Sequence, residues 1–393
     1  MTASAELAGP RVILVLTADT GGGHRAAAEA IRQAVHRRYP DELATVTCDP
    51  LTGAEANRSV AWVCGRYGPL VRDAPWLWSI LFHATNARPL RPILESLLRR
   101  FVSAPIAAAV ARHQPMAMVA LHPLLAASAA ALRSEGTAAP ALMTVVTDLG
   151  SAHRSWWQSP ADRVVTPTAE LSQQGRRFAG TAPDRCDVIG IPVRAEFRPG
   201  PADPTAKAAL RRSLGLDPAR FVVLVIAGAE AARGMRMWTR TIVNGAADVD
   251  VVAICGRDQR LRKDLERLAA RSPRRLTVTG FVDNIADWLR SADVLVTKAG
   301  PGTIAEATSC GTPMLLAGHL PGQETGNTEI VVRAGAGRAV HGRRELLRLI
   351  EDLRADPARV SRMRAAAARL GRPTAAAEIA DLLAQQALRK EFR

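Results

Sequence analysis

Residues 16–31 read LTADTGGGHRAAAEAI. An apolar run, RVILVLTA, ends in three glycines and a histidine, and an alanine-rich stretch with helical composition follows. Strand, glycine turn and helix in that order open a sheet of the kind whose strands are joined by helical crossovers. Glycine admits positive φ and close backbone approach, and three in succession lose enough conformational entropy on folding to imply a local need. Three needs fit: a phosphate cradle, a sharp turn alone, or His24 held at a cleft as a base. Gly21, Gly23 and Ala26 match G-x-G-x-x-G/A, and Asp49 ends the next predicted strand, which is a formal dinucleotide-binding pattern. No GK[ST] follows, so a Walker loop is excluded. A helix N-terminus disfavours the imidazolium, which suits a base. These residues alone leave the three readings open.

Working outward, strand candidates alternate with helical stretches along the whole chain. LATVTCD, MAMVAL, ALMTVVTD and RVVTPT continue the first series; RFVVLVIAG, VDVVAICG, RLTVTG, DVLVTKAG and TPMLLAG make a second. Continuous apolar strands between helices predict parallel sheets covered on both faces. The two series are separated by IPVRAEFRPGPADPTAKAALRRSLGLDPAR, with five prolines, which reads as a linker and then a first helix. The expected domains are 1–198, 199–370 and a C-terminal helix with a basic tail over 371–393. In doubly wound sheets ligands bind at the carboxyl ends of strands, so two facing sheets make a cleft.

The 393 residues favour two domains, and 48% apolar with 23% charged residues is soluble globular composition. A formal charge of +15 favours an anionic partner: nucleic acid, an acidic membrane or a phosphorylated substrate. The arginines are scattered and no nucleic-acid module is visible, so nucleic acid is not expected. Five widely spaced cysteines without a CxxC fit reduced thiols and a cytoplasmic setting. The N-terminus lacks a basic region before its apolar run and reads as a tail entering a strand. QPMAMVALHPLLAASAAAL is broken by His122 and Pro123, so any membrane contact should be peripheral. Asp248 and Asp250 form a DVD that reads as a turn before a strand, and no metal ligands are expected.

A second glycine turn lies in residues 297–313, TKAGPGTIAEATSCGTP. Gly300, Pro301 and Gly302 form the turn, Thr303 is expected to cap the next helix, and its free amides suit a diphosphate. Glu306, expected in the first helical turn, could accept hydrogen bonds from two vicinal hydroxyls. Gln323 and Glu324, in HLPGQETGN after the next strand, could bind sugar hydroxyls.

TADTGGGHRAAAEAI, TDLGSAHRSWW, CGRDQRL, GFVDNIADWLRSADVLVTKAGPGTIAEA and PGQETGNTEIVVRAGAG together resemble the monogalactosyldiacylglycerol synthase and processive diacylglycerol glucosyltransferase family. More distantly they resemble the N-acetylglucosaminyltransferase that completes the peptidoglycan lipid precursor. The resemblance covers roughly residues 11 to 340 on a motif basis. It implies an α/β fold of GT-B type, two Rossmann-like domains across a cleft. It also implies inverting transfer of a hexose from a UDP-sugar to diacylglycerol or a related lipid, without a cofactor or an obligatory metal. By the same resemblance, backbone near Phe281 meets the uracil, Glu306 the ribose, Gly300, Pro301, Gly302 and Thr303 the diphosphate, and Gln323 and Glu324 the sugar. Gly228 and Glu230 belong to a donor loop in which Ala227, Ala229 and Ala231 stand where the family usually has glycine.

His24 and Asp148 are the candidate bases, with His24 favoured and Asp148 orienting or replacing it. Gly22, Gly23, Trp76 and His153 are expected on the acceptor side. Residues 57–102 interleave Trp62, Tyr67, Trp76, Trp78 and Phe82 with arginines, a pattern suited to an anionic lipid interface at the cytoplasmic face. A soluble acceptor, UDP-sugar epimerisation or hydrolysis, and non-catalytic sugar-nucleotide binding are alternatives on the same fold.

Overall fold

In the computed structural model the apolar runs become twelve strands, all paired parallel, in two six-stranded sheets among the described residues. The structure describes residues 9–19, 22–54, 56–87, 91–133, 140–157, 160–179, 185–226, 232–272, 276–319 and 323–388. The first sheet holds β1 (Arg11–Leu16), β2 (Leu43–Cys48), β3 (Ala117–Ala120), β4 (Ala141–Val145), β5 (Arg163–Thr166) and β6 (Cys186–Val188), ordered β2-β1-β3-β4-β5-β6. The second holds β7 (Phe221–Ile226), β8 (Val249–Ile254), β9 (Leu276–Thr279), β10 (Val294–Thr297), β11 (Met314–Leu316) and β12 (Gly337–Ala339), ordered β12-β11-β10-β7-β8-β9.

The strands are apolar throughout because both faces are covered. Ile13 and Val15 of β1 pack with Ile31 and Val35 of helix Gly23–Arg38, while Leu14 and Leu16 pack with Ile106, Leu125 and Trp156 on the other face. In the second sheet Leu224 and Leu295 face one core, and Val223, Val225, Val294 and Val296 the other. Each such side chain removed from water contributes about 1.5–3 kcal/mol.

Strand order reverses between β1 and β3 in the first lobe and between β7 and β10 in the second. Crossovers leave to opposite faces at these points, so a crevice opens at the carboxyl ends of those strands.

The chain returns to its first lobe at the end. Ile379 and Leu383 of helix Ala375–Leu388 join the core of β1 and β3, and Asp381 accepts hydrogen bonds from Arg38 (2.7 Å) and Tyr39 (2.8 Å). Gly190 lies where this returning segment crosses the outgoing one. Its φ is +132°, and a β-carbon there would lie 2.6 Å from Cβ of Arg372.

Candidate active site

Both order-reversal points carry the glycine turns. After β1, Gly22 caps helix Gly23–Arg38 with φ +73°, a conformation that glycine takes without strain. His24 is thus the second helical residue, half-buried. Its Nδ1 lies 2.9 Å from the Thr147 hydroxyl, and its ring meets the edge of His122 at 4.9 Å between centroids. His122 follows β3, so the two strands flanking the reversal each supply an imidazole. Burial lowers the His24 pKa to about 4, with an opposing backbone hydrogen bond at Leu121. Burial also holds His122 well below its ordinary value, and the neighbouring His24 and His153 add to that. The helix N-terminus beneath His24 acts in the same direction.

Asp148 lies just beyond β4 and is buried. Its Oδ2 accepts from the Trp156 indole at 2.7 Å, and its Oδ1 accepts from Gln323 Nε2 of the other lobe at 3.4 Å. Desolvation raises its pKa to about 6 against the pull of those two donors. The residue meeting His24 is therefore Thr147, one position earlier, and Asp148 instead anchors Trp156, whose ring centre is 6.4 Å from that of His24.

In the second lobe β10 leads into Lys298, Ala299 and Gly300. Gly300 is the N-cap and Pro301 the first residue of helix Pro301–Ser309, so the free amides of this helix open on the cleft. This start corrects two expectations. Thr303 lies inside the first turn and makes no cap, and Glu306 lies in the second turn, because Pro301 fixes the helical φ two residues before Thr303. Burial pushes the Glu306 carboxyl up to about 7, with Arg194 pulling it down and Glu196 pushing it up. A β-carbon on Gly302 would lie 3.9 Å from Cα of Gly23, so the two helices begin face to face.

Lys298 Nζ donates to Glu324 Oε1 at 2.8 Å, and both are largely buried beside Gly300. Gln323 spans the lobes: besides Asp148, its carbonyl accepts from the Ser151 hydroxyl at 3.3 Å. Among the described residues its Oε1 is buried with no hydrogen-bond partner. Phe281, beyond β9, is exposed, with the Arg257 guanidinium 5.1 Å from its ring centre. Gly228 and Glu230 lie outside the described residues. So does Gly21 of the first turn, while among the described residues nothing lies within 4 Å of the positions where a β-carbon would stand on Gly22 or Gly23.

Trp76 of helix Pro75–Asn86 is 66% exposed, and Trp62, Val63, Ile80, Leu81 and Phe101 are exposed too. Phe82 is buried and Trp78 half-buried, so only part of the aromatic series faces water. His153 couples this helix to the cleft loop. Its ring packs edge-on to Phe82 at 5.3 Å, and its Nδ1 meets the Ser155 hydroxyl at 2.8 Å.

Thr147, His122, Trp156, Lys298 and Asn327 complete the site, and the sequence reading assigned none of them a role. The signal for Thr147, His122 and Lys298 is a polar residue just past a strand's carboxyl end; Trp156, in the 3-10 helix Arg154–Trp157, and Asn327, inside helix Thr325–Arg333, carry no such signal. Among the described residues no group of three or more His, Cys, Asp and Glu side chains could hold a metal ion. Asp248 stands in a turn with φ +53°, and Asp250 is paired with Arg220.

Two doubly wound lobes, with their order reversals facing across a cleft, define the GT-B fold. The chain aligns over 96% of its length with the crystal structure of Acinetobacter baumannii MurG (TM-score 0.62, 15% identity, 100% of that chain). It likewise aligns with Anabaena Alr3699/HepE in complex with UDP (TM-score 0.58, 16% identity, 95% of this chain and 100% of that one). At the sequence level, the model for monogalactosyldiacylglycerol (MGDG) synthase matches residues 24–193, and that for the glycosyltransferase family 28 C-terminal domain matches residues 222–382. A probable chloroplastic monogalactosyldiacylglycerol synthase of Glycine max is 31% identical over 386 residues, covering 94% of this chain and 70% of that protein. Monogalactosyldiacylglycerol synthase 1 of Arabidopsis thaliana is 32% identical over 356 residues, covering 87% of this chain and 64% of its own length. The chain belongs to the monogalactosyldiacylglycerol synthase family of glycosyltransferases. Its own span is about two thirds of these relatives.

Proposed function

We propose that this protein transfers a hexose from a UDP-sugar to the hydroxyl of diacylglycerol or a related lipid, with inversion at the anomeric carbon. One observation carries the reading: the amide-rich start of helix Pro301–Ser309, with Lys298 beside it, opens opposite a loop bearing His24 and Asp148. In this reading the diphosphate rests against Gly300, Pro301 and Gly302 and the free amides there, where the helix dipole favours negative charge. Glu306 receives the ribose hydroxyls, Gln323 and Glu324 the sugar, and the backbone near Phe281 the base. Thr303 contributes its amide.

The lipid hydroxyl attacks the anomeric carbon as the bond to the diphosphate oxygen breaks. His24 takes the hydroxyl proton, and the electron pair leaves with UDP. Burial holds His24 neutral at pH 7 and the residue is only half-buried, whereas Asp148 is buried with both oxygens already engaged. Positive potential for the leaving group comes from the helix N-terminus and Lys298, so no divalent metal is required and chelation should leave turnover unchanged.

The acceptor would arrive from an anionic membrane surface at its cytoplasmic face. Exposed Trp62, Trp76 and Ile80 support an interfacial contact, His153 ties the helix of Trp76 and Ile80 to the cleft through Phe82, and Arg66 stacks on Trp62 at 4.0 Å. Among the described residues no helix is long and apolar enough to cross a membrane.

The test is a panel of UDP-hexoses with diacylglycerol, read by mass spectrometry and by the anomeric coupling constant of the product. A β-linked hexosyl-diacylglycerol from an α-linked donor is expected. Free hexose or an epimerised donor, formed equally without acceptor, would overturn the reading.

A further inference from the structure

We propose that Asn327 is a positioning residue that sets the register between the donor loop of the second lobe and the acid–base loop of the first. The inference rests on the transfer reading above and adds a residue to it. Asn327 is 1% exposed, and both ends of its amide are used on backbone from separate loops. Its Oδ1 accepts from the Gly150 N–H at 2.8 Å, and its Nδ2 donates to the Ala299 carbonyl at 2.8 Å. Gly150 lies two residues beyond Asp148, and Ala299 immediately precedes the Gly300 cap. One planar amide therefore spans the two loops that carry the chemistry.

An independent observation points to the same junction. A β-carbon on Gly150 would lie 2.2 Å from the Gly326 carbonyl carbon, and one on Gly326 would lie 2.9 Å from that of Gly150. Neither glycine has a positive φ. Both are small because two backbones touch, and that contact lets the Asn327 side chain reach across. The flanking cross-lobe bonds, Gln323 to Asp148 at 3.4 Å and Ser151 to Gln323 at 3.3 Å, are long for hydrogen bonds and follow the register instead of fixing it. Only an amide satisfies both partners. Aspartate would set a carboxylate against the Ala299 carbonyl, and alanine would leave the buried Ala299 carbonyl and the half-buried Gly150 N–H without this partner.

Asn327→Ala should lower kcat by about 10- to 100-fold, the usual consequence of displacing reacting groups by about 1 Å. The donor KM and the Kd for UDP should stay within about threefold, since the donor site's own side chains are intact. Hydrogen exchange at the Gly150 amide should become fast in the same variant. Gly150→Ala, which leaves the second lobe's sequence untouched, should reproduce the kcat loss and stands in if Asn327→Ala fails to fold. An unchanged kcat, or a loss confined to donor KM and UDP affinity, overturns the proposal. The exchange measurement needs no turnover. If the wild-type protein transfers no hexose, the transfer reading fails by itself. In that case a Gly150 amide equally protected in Asn327→Ala overturns this inference, and a newly exchanging one upholds the junction.

Discussion

Asp148 carries a built-in cost to folding that a single isosteric change should remove. Its carboxyl titrates at about 6 in the folded protein against an ordinary 3.8, chiefly because burial disfavours the charge. The folded value is raised, so the unfolded state gives up its proton first. Destabilisation is absent below about pH 3.8, grows up to about pH 6 and is constant above. At about 1.36 kcal/mol per pH unit it reaches about 3 kcal/mol at pH 7.5 and only about 1 kcal/mol at pH 4.5. Asp148→Asn keeps the shape and removes the charge. Its Oδ1 can still accept from the Trp156 indole, and its new N–H₂ can meet Gln323 Oε1, which is buried without a partner among the described residues, once that amide turns over. The variant should therefore gain up to about 3 kcal/mol over the wild type at pH 7.5 and about 1 kcal/mol at pH 4.5. Urea unfolding at the two pH values, with hydrogen exchange reporting each lobe separately, measures both differences. Activity should move the other way, because Gln323 would present the opposite end of its amide to the cleft. A variant less stable than the wild type at pH 7.5, or a gain equal at both pH values, refutes the reasoning.

The pH dependence of kcat/KM should distinguish the two candidate bases. With His24 active as the neutral imidazole at a pKa of about 4, the acid limb lies near pH 4 and the rate is level from pH 7.5 to 5; a fall of about tenfold over that same range would assign the proton to Asp148. Gly190→Ala should cost about 1–3 kcal/mol, since an L side chain is strained at that φ and its β-carbon meets Arg372. Exchange in residues 375–388 should rise with it, and unchanged thermal stability would contradict the crossing described. Ile379→Ala should cost about 2–5 kcal/mol and loosen the first lobe, although it lies near the chain's end, and a loss confined to second-lobe peptides would refute that placement. Trp62→Ala combined with Trp76→Ala should weaken flotation with anionic vesicles while leaving the melting temperature within about 2 °C, because exposed side chains contribute little to folding. Retention equal to the wild type would remove those two rings from the interface.

How much of this was legible follows from where the information resides. A strand buried on both faces is written as an unbroken apolar run, so β1, β7 and β10 could be read directly, and the alternation with helices gave the parallel sheets. β6 and β12 are three residues each, Cys186–Val188 and Gly337–Ala339, and Gly337 and Arg338 carry no apolar run to read. Such edge strands exist because a neighbour offers free backbone groups, which is a property of the sheet. The destination of helix Ala375–Leu388 was hidden for a related reason. An apolar face made by Ile379 and Leu383 states that something covers it, not which lobe does. The glycine turns were legible because they answer a local backbone need, as Gly22 does with its φ of +73°. Gly150 and Gly326 look the same in the sequence, yet their need comes from each other, and the Asn327 bridge joins positions 177 residues apart. Thr303 and Glu306 were misplaced within their helix by a smaller margin: reading Thr303 as the cap shifts the start by three residues, about one turn, and turns Glu306 from a second-turn side chain into a first-turn one. At a cleft built from two lobes, the residues that answer local rules show where the ligand should lie. Those that answer only to the opposite lobe determine whether the two halves of the chemistry meet.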